Sequence, residues 1–203
     1  MNAHLVVGFD LDMTLVDSRP GIRATLAELH AETGAPVATD EMLGALLRSN
    51  LDLEFGERFA PEDAERWADR FRALYVDLGV PGTHLLPGAH DAVDAVHAVG
   101  GRVVVVTAKY EPNARRCLEQ VRLDVDAVFG WRYADGKADT LLEESAAIYV
   151  GDTTNDVRAA HRAGAHMVAV TTGPHSAAEL RHAGATTVFD SLEEFPGWLR
   201  ARD

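Results

Sequence analysis

The chain has 203 residues, with 32 acidic side chains against 19 basic ones and a formal net charge of −13. Hydrophobic residues at 47% and charged ones at 25% are ordinary globular composition, enough for one or two domains with a sizeable core and unlike a disordered chain. The acidic balance excludes a general binder of nucleic acid or anionic membrane, and a single cysteine, Cys117, excludes an internal disulfide.

The start, Met1-Asn2-Ala3-His4, carries no basic stretch, and the apolar run behind it is too short for a signal peptide or a membrane span. With the lone cysteine this predicts a soluble, cytoplasmic protein. Leu5 to Phe9 reads as a short buried strand ending at Asp10. From about Arg19 to Gly79 the spacing is helical: Ile22, Leu26 and Leu29 share one face, and Trp67, Phe71, Leu74 and Leu78 another. Pro61 marks a helix start, and Gly34 and Gly79 mark helix ends.

After Pro87-Gly88 strands and helices alternate. A helix from Ala89 to Val99 stops at Gly100-Gly101, and Val103 to Val106 is too short and too β-branched for a helix. Further strands are predicted at Ala127 to Phe129, Ala147 to Val150, Met167 to Thr171 and Thr187 to Phe189, with helices between them and a last helix carrying Leu192, Phe195 and Leu199. The expected class is α/β, with a Rossmann-like parallel sheet covered by helices on both faces. An all-helical cap would occupy residues 16–87, and residues 1–15 and 88–203 would form the core.

In open parallel sheets ligands bind at the carboxyl ends of the strands. The first strand ends in Asp10-Leu11-Asp12-Met13-Thr14 and the second in Thr107; Lys137 precedes the strand that ends at Gly151-Asp152, and Asp156 follows four residues later. Singly, each is explained as a cap or a turn. Together and in this order they point to a convergent site.

These segments resemble the four signature motifs of the haloacid dehalogenase superfamily, and the resemblance spans nearly the whole chain. Leu86-Pro87-Gly88, where the chain re-enters the core, resembles the phosphoglycolate phosphatase-like branch with its small helical cap. The resemblance implies a magnesium-dependent phosphatase of a small phosphorylated metabolite. Asp10 would be the nucleophile that forms an aspartyl-phosphate. Asp12 would protonate the leaving oxygen and later activate water. Asp10, the backbone carbonyl of Asp12, and Asp152 would hold Mg2+, with Asp156 orienting ligands behind it. Thr107 and the N–H of Ala108 would hold the phosphate oxygens, and Lys137 would add positive charge.

Only Lys109 and Lys137 are lysines; the other 17 basic residues are arginine. Lys109 is the rival for the lysine role and otherwise reads as a solvated loop residue. Two positions depart from the pattern: Met13 stands where relatives usually have Gly, and Ala138 where they often have Pro. A side chain at Met13 is expected to narrow the loop beside the site and face substrate or cap. Arg23, Arg48 and Arg58 are cap cations within reach of an anionic substrate. The histidines show no zinc spacing, and Cys117 reads as a small buried hydrophobe. A phosphomutase of the same superfamily is the alternative; a receiver domain has the wrong motif order, and a dehalogenase would lack an acid at Asp12.

Overall fold

The computed structural model describes residues 5–202. In chain order the elements are β1 (Val6–Phe9), β2 (Val16–Asp17), α1 (Arg19–Thr33), α2 (Asp40–Leu46), α3 (Leu51–Arg58), α4 (Pro61–Leu74) and a π-helical turn (Tyr75–Gly79). Then follow β3 (His84–Leu85), α5 (Ala89–Ala98), β4 (Arg102–Val106), α6 (Glu111–Gln120), β5 (Ala127–Phe129) and α7 (Asp135–Glu143). The chain closes with β6 (Ile148–Gly151), α8 (Thr154–Ala163), β7 (His166–Val170), α9 (Ala177–His182), β8 (Thr187–Phe189) and α10 (Phe195–Arg200).

Six strands form one parallel sheet in the order β5-β4-β1-β6-β7-β8. Alternate residues of each strand feed opposite faces. Val103 and Val105 pack with Phe9, Val150 and α5, whereas Val104 and Val106 pack with Tyr149, Leu141 and Val157. Strand runs buried on both faces are what a covered parallel sheet requires. Strand order reverses direction at β1, which pairs with β4 on one side and β6 on the other. That reversal opens a crevice at the carboxyl ends of β1 and β6.

The helical segment between β2 and β3 has an apolar cluster of its own, which includes Leu26, Leu29, Phe55, Trp67 and Phe71. Leu74 is buried in it and Leu78 is partly buried against it, as their spacing predicts. Cys117 is buried in the same cluster although it belongs to α6, so one core helix contributes to the insert's packing. β2 and β3 leave no pattern in the sequence. They pair antiparallel over two residues each and carry both crossings between insert and core. Two residues are too few for a period-2 pattern. Among the described residues no helix is long and apolar enough to cross a membrane.

Candidate active site

Asp10 leaves β1 buried, its backbone N–H donating to the Val150 carbonyl of β6 at 2.8 Å. Asp152 leaves β6 equally buried, and Thr14 Oγ1 donates to its Oδ1 at 2.8 Å. Asp156 sits in the first turn of α8, where it and Thr153 satisfy each other's backbone N–H groups in a capping box. Its Oδ2 also accepts from Thr153 Oγ1 at 2.6 Å, and its Oδ1 from Tyr149 Oη at 3.2 Å. Lys137, in the first turn of α7, closes the group: its Nζ lies 2.6 Å from Asp156 Oδ1 and 3.0 Å from Asp10 Oδ1. Ligand atoms of Asp10, Asp152 and Asp156 all fall within 4.8 Å of one another.

Three buried carboxylates with one ammonium among them are electrostatically under-compensated. Burial raises the Asp10 carboxyl to about 6; Lys137 opposes this, and Asp156 and Asp12 add to it. Asp152 is pushed well above the ordinary carboxylate range by burial first, then by Asp156 and Asp10. Asp156 goes the other way, because Lys137 and the Thr153 hydrogen bonds outweigh its burial. Lys137 keeps its charge against burial because Asp10 and Asp156 flank it.

The donor set fits a hard divalent cation. Asp10 Oδ1 and Asp152 Oδ2 are buried without a hydrogen-bond partner, and the 3.0 Å approach of Lys137 to Asp10 is not aligned as one. Gly173 lets the chain pass directly against this carboxylate: a Cβ there would fall 1.8 Å from Asp152 Oδ2. Buried carboxylate oxygens left unpaired in this way are what oxygen-seeking cations use.

A haloacid dehalogenase-like hydrolase family model matches residues 7–161, and a second HAD-hydrolase-like model matches 130–195. A phosphoglycolate phosphatase of Rhodospirillum rubrum is 31% identical over 94% of this chain and 89% of its own length. One from Cereibacter sphaeroides (strain ATCC 17025 / ATH 2.4.3) is 32% identical over 96% of this chain and 97% of its own. The chain belongs to the haloacid dehalogenase-like hydrolases. It is a phosphatase of the phosphoglycolate phosphatase-like branch. The crystal structure of a predicted phosphatase from Clostridium acetobutylicum shares the fold, with a TM-score of 0.83, 23% identity, and coverage of 98% of this chain and all of that one.

In this hydrolase Asp10, Asp12, Thr107, Ala108 and Lys137 line one cleft between the carboxyl ends of the strands and the helical insert. The cleft encloses about 840 Å³, its open mouth included. Asp152 and Asp156 stand behind Asp10. Thr107 is buried at the end of β4.

Two expectations are corrected. Lys109 is not a solvated loop lysine: its side chain is 9% exposed, and its Nζ donates to Asp12 Oδ1 at 2.9 Å. Met13 does not line the cleft. It is 1% exposed, and its φ of +63° supplies the left-handed turn that glycine adopts at no steric cost. Its carbonyl accepts from Thr172 Oγ1 at 2.5 Å.

Of the three arginines of the helical insert, Arg48 lines the cleft, whereas Arg23 pairs with Asp40 and Arg58 with Glu41 and Glu54 away from it. Arg72 was missed. It lies in the cleft wall 5.7 Å from the ring centre of Tyr110 and 5.6 Å from that of Trp131, and pairs with Asp52 and Asp69. Its helical spacing marks a surface position, and nothing in one sequence shows that a core loop folds over it.

Proposed function

We propose that this hydrolase is a Mg2+-dependent phosphatase of a small phosphorylated metabolite, working through an aspartyl-phosphate on Asp10. The observation that carries the reading is the buried convergence of Asp10, Asp152 and Asp156 against Lys137 at the sheet's switch point. Asp10, Asp152 and the backbone carbonyl of Asp12 would hold the cation, with Asp156 behind them. When bound, Mg2+ neutralises phosphoryl charge that a protein of net charge −13 cannot otherwise offset.

An oxygen of Asp10 attacks phosphorus as the ester oxygen departs, and Asp12 gives that oxygen its proton. Asp12 then takes a proton from water as the water oxygen attacks the aspartyl-phosphate, which frees inorganic phosphate and restores Asp10. Thr107 and the Ala108 N–H steady the phosphoryl oxygens, and Lys137 stabilises the charge that builds on them. Residues 16–87 act as the cap: they roof the cleft, exclude water and select the leaving group, with hinges near Asp17-Ser18 and Pro87-Gly88. The similarity to phosphoglycolate phosphatases puts 2-phosphoglycolate among the first esters to try. The buried, unpaired thiol of Cys117 suits a cytoplasmic setting.

The test is phosphate release from a panel of phosphorylated metabolites with Mg2+, by the parent protein and by Asp10→Asn. Turnover by the parent and loss in the variant, with its fold intact by circular dichroism, is the expected result. No turnover of any ester, or full turnover by Asp10→Asn, overturns the reading.

A further inference from the structure

The chain's two lysines serve two carboxylates that stand two residues apart. Lys137 lies against Asp10, and Lys109 donates to Asp12 Oδ1 at 2.9 Å. Lys109 Nζ also donates to Tyr75 Oη at 2.9 Å and sits 4.3 Å from the centre of that ring. These three residues come from separate parts of the chain: Asp12 from the loop after β1, Lys109 from the loop after β4, and Tyr75 from the π-helical turn of the insert. One ammonium thus joins the acid's loop, the phosphate loop and the cap.

We propose that Lys109 positions Asp12 for proton transfer, and that Tyr75 makes this positioning depend on the docked cap. The inference rests on the reading of Asp12 as the acid. An Asp12 side chain left without Lys109 has rotamers that point away from the ester oxygen. A compact ammonium with three rotatable donors can hold a carboxylate and a phenol at once, which a planar guanidinium of fixed fork geometry cannot do in the same space. In a chain that otherwise uses arginine, this accounts for a lysine here. Arginines supply the surface pairs, and lysines are kept for the two buried contacts beside the carboxylates.

The insert is built around the same contact. Tyr75 is 1% exposed, and its ring lies flat on Gly79, where a Cβ would fall 2.3 Å from Tyr75 Cδ2. The π-helical turn that carries both residues is a geometry found often at functional sites, because the widened turn re-aims a side chain. Asn113 Nδ2 of α6 donates to the Arg72 carbonyl at 3.1 Å, so the end of α4 is held to the core one helical turn before Tyr75. A second role as the substrate's counter-ion is disfavoured, since two Lys109 donors are already taken by Asp12 and Tyr75 and the side chain is 9% exposed.

The experiment measures kcat and KM for Lys109→Met and Tyr75→Phe on an alkyl phosphate and on 4-nitrophenyl phosphate, whose leaving group needs little protonation. Lys109→Met is expected to lower kcat on the alkyl ester about ten- to a hundredfold, the scale of a misplaced catalytic group, with KM little changed and a much smaller loss on the nitrophenyl ester. Tyr75→Phe should show the same split more weakly, and it carries the test if Lys109→Met fails to fold. Equal losses on both esters would make Lys109 structural, and a raised KM with kcat kept would make it a substrate cation; either overturns the proposal. Asp12→Asn is the control. If it shows no split between esters, the acid assignment fails and the inference with it; if it shows the split and neither variant does, the inference alone fails.

Discussion

Lys137 Nζ and Asp156 Oδ1 lie 2.6 Å apart, with both side chains at most 5% exposed. The same carboxylate caps α8 and accepts from Tyr149, so this ion pair joins the first turns of α7 and α8 beside Asp10. Its worth lies in what its loss would leave behind. Lys137→Met strands Asp156, Asp10 and Asp152 as an uncompensated buried cluster, a change worth about 3–5 kcal/mol when one partner of a buried pair is removed. A thermal melt should fall by on the order of 10 °C for a chain of this length. An unchanged melt would mean that water or a bound cation compensates the cluster without the lysine.

The pH dependence of stability should carry the mark of Asp10. Its carboxyl is raised to about 6 in the folded chain against 3.8 when unperturbed, so between those values the native state holds a proton that the unfolded chain has released. Stability from this group is therefore full below about pH 4 and is lost as pH rises to about 6. In chelator, the stability of Asp10→Asn relative to the parent should rise by up to about 3 kcal/mol between about pH 4 and pH 7. Mg2+ favours the charged carboxylate and should flatten the difference. Urea melts at several pH values, with and without Mg2+, measure both; a flat difference in chelator would remove Asp10 as the raised group.

Met13 tests which of two opposing effects wins. Its left-handed backbone costs about 1–2 kcal/mol for a residue with a Cβ. Burying the side chain returns about 1.5–3 kcal/mol, and glycine adds roughly 0.5–1 kcal/mol of unfolded-state entropy. Met13→Gly is accordingly expected to destabilise by about 1–2 kcal/mol in spite of the relieved backbone, with kcat unaffected because the side chain lies outside the cleft. A stabilised variant would show that the strain exceeds the burial.

Substrate choice should reside in the insert. Arg48 lines the cleft and, among the described residues, forms no ion pair, whereas Lys109, Lys137 and Arg72 are each matched by a carboxylate. Arg48→Ala should raise KM about tenfold for esters that carry a second anionic group and spare 4-nitrophenyl phosphate, the difference that one charged contact makes. Kinetics on matched esters with and without a carboxylate check this. Loss on every ester alike would give Arg48 a role in the chemistry.

The sequence by itself determined the sheet and the strand ends at which the buried carboxylates Asp10 and Asp152 converge. Apolar runs ending in Asp10, Thr107 and Asp152 can be read in one dimension because parallel strands are local in sequence and their carboxyl ends all face one crevice. The left-handed turn at Met13 was legible only as a departure from glycine, without its conformation. Tertiary structure alone decided the rest. The β2–β3 ribbon joins residues about 70 apart through two pairs, too short for any periodic signal. Arg72 reads as a helix-surface residue until Tyr110 and Trp131, from two core loops, fold against it. Lys109 reads as a loop lysine until Asp12, 97 residues earlier, and Tyr75, 34 residues earlier, bury its ammonium. Local propensity and hydrophobic period report on neighbours a few residues away. A buried ion pair depends on distant side chains that exclude water together, and only the folded chain brings them into contact.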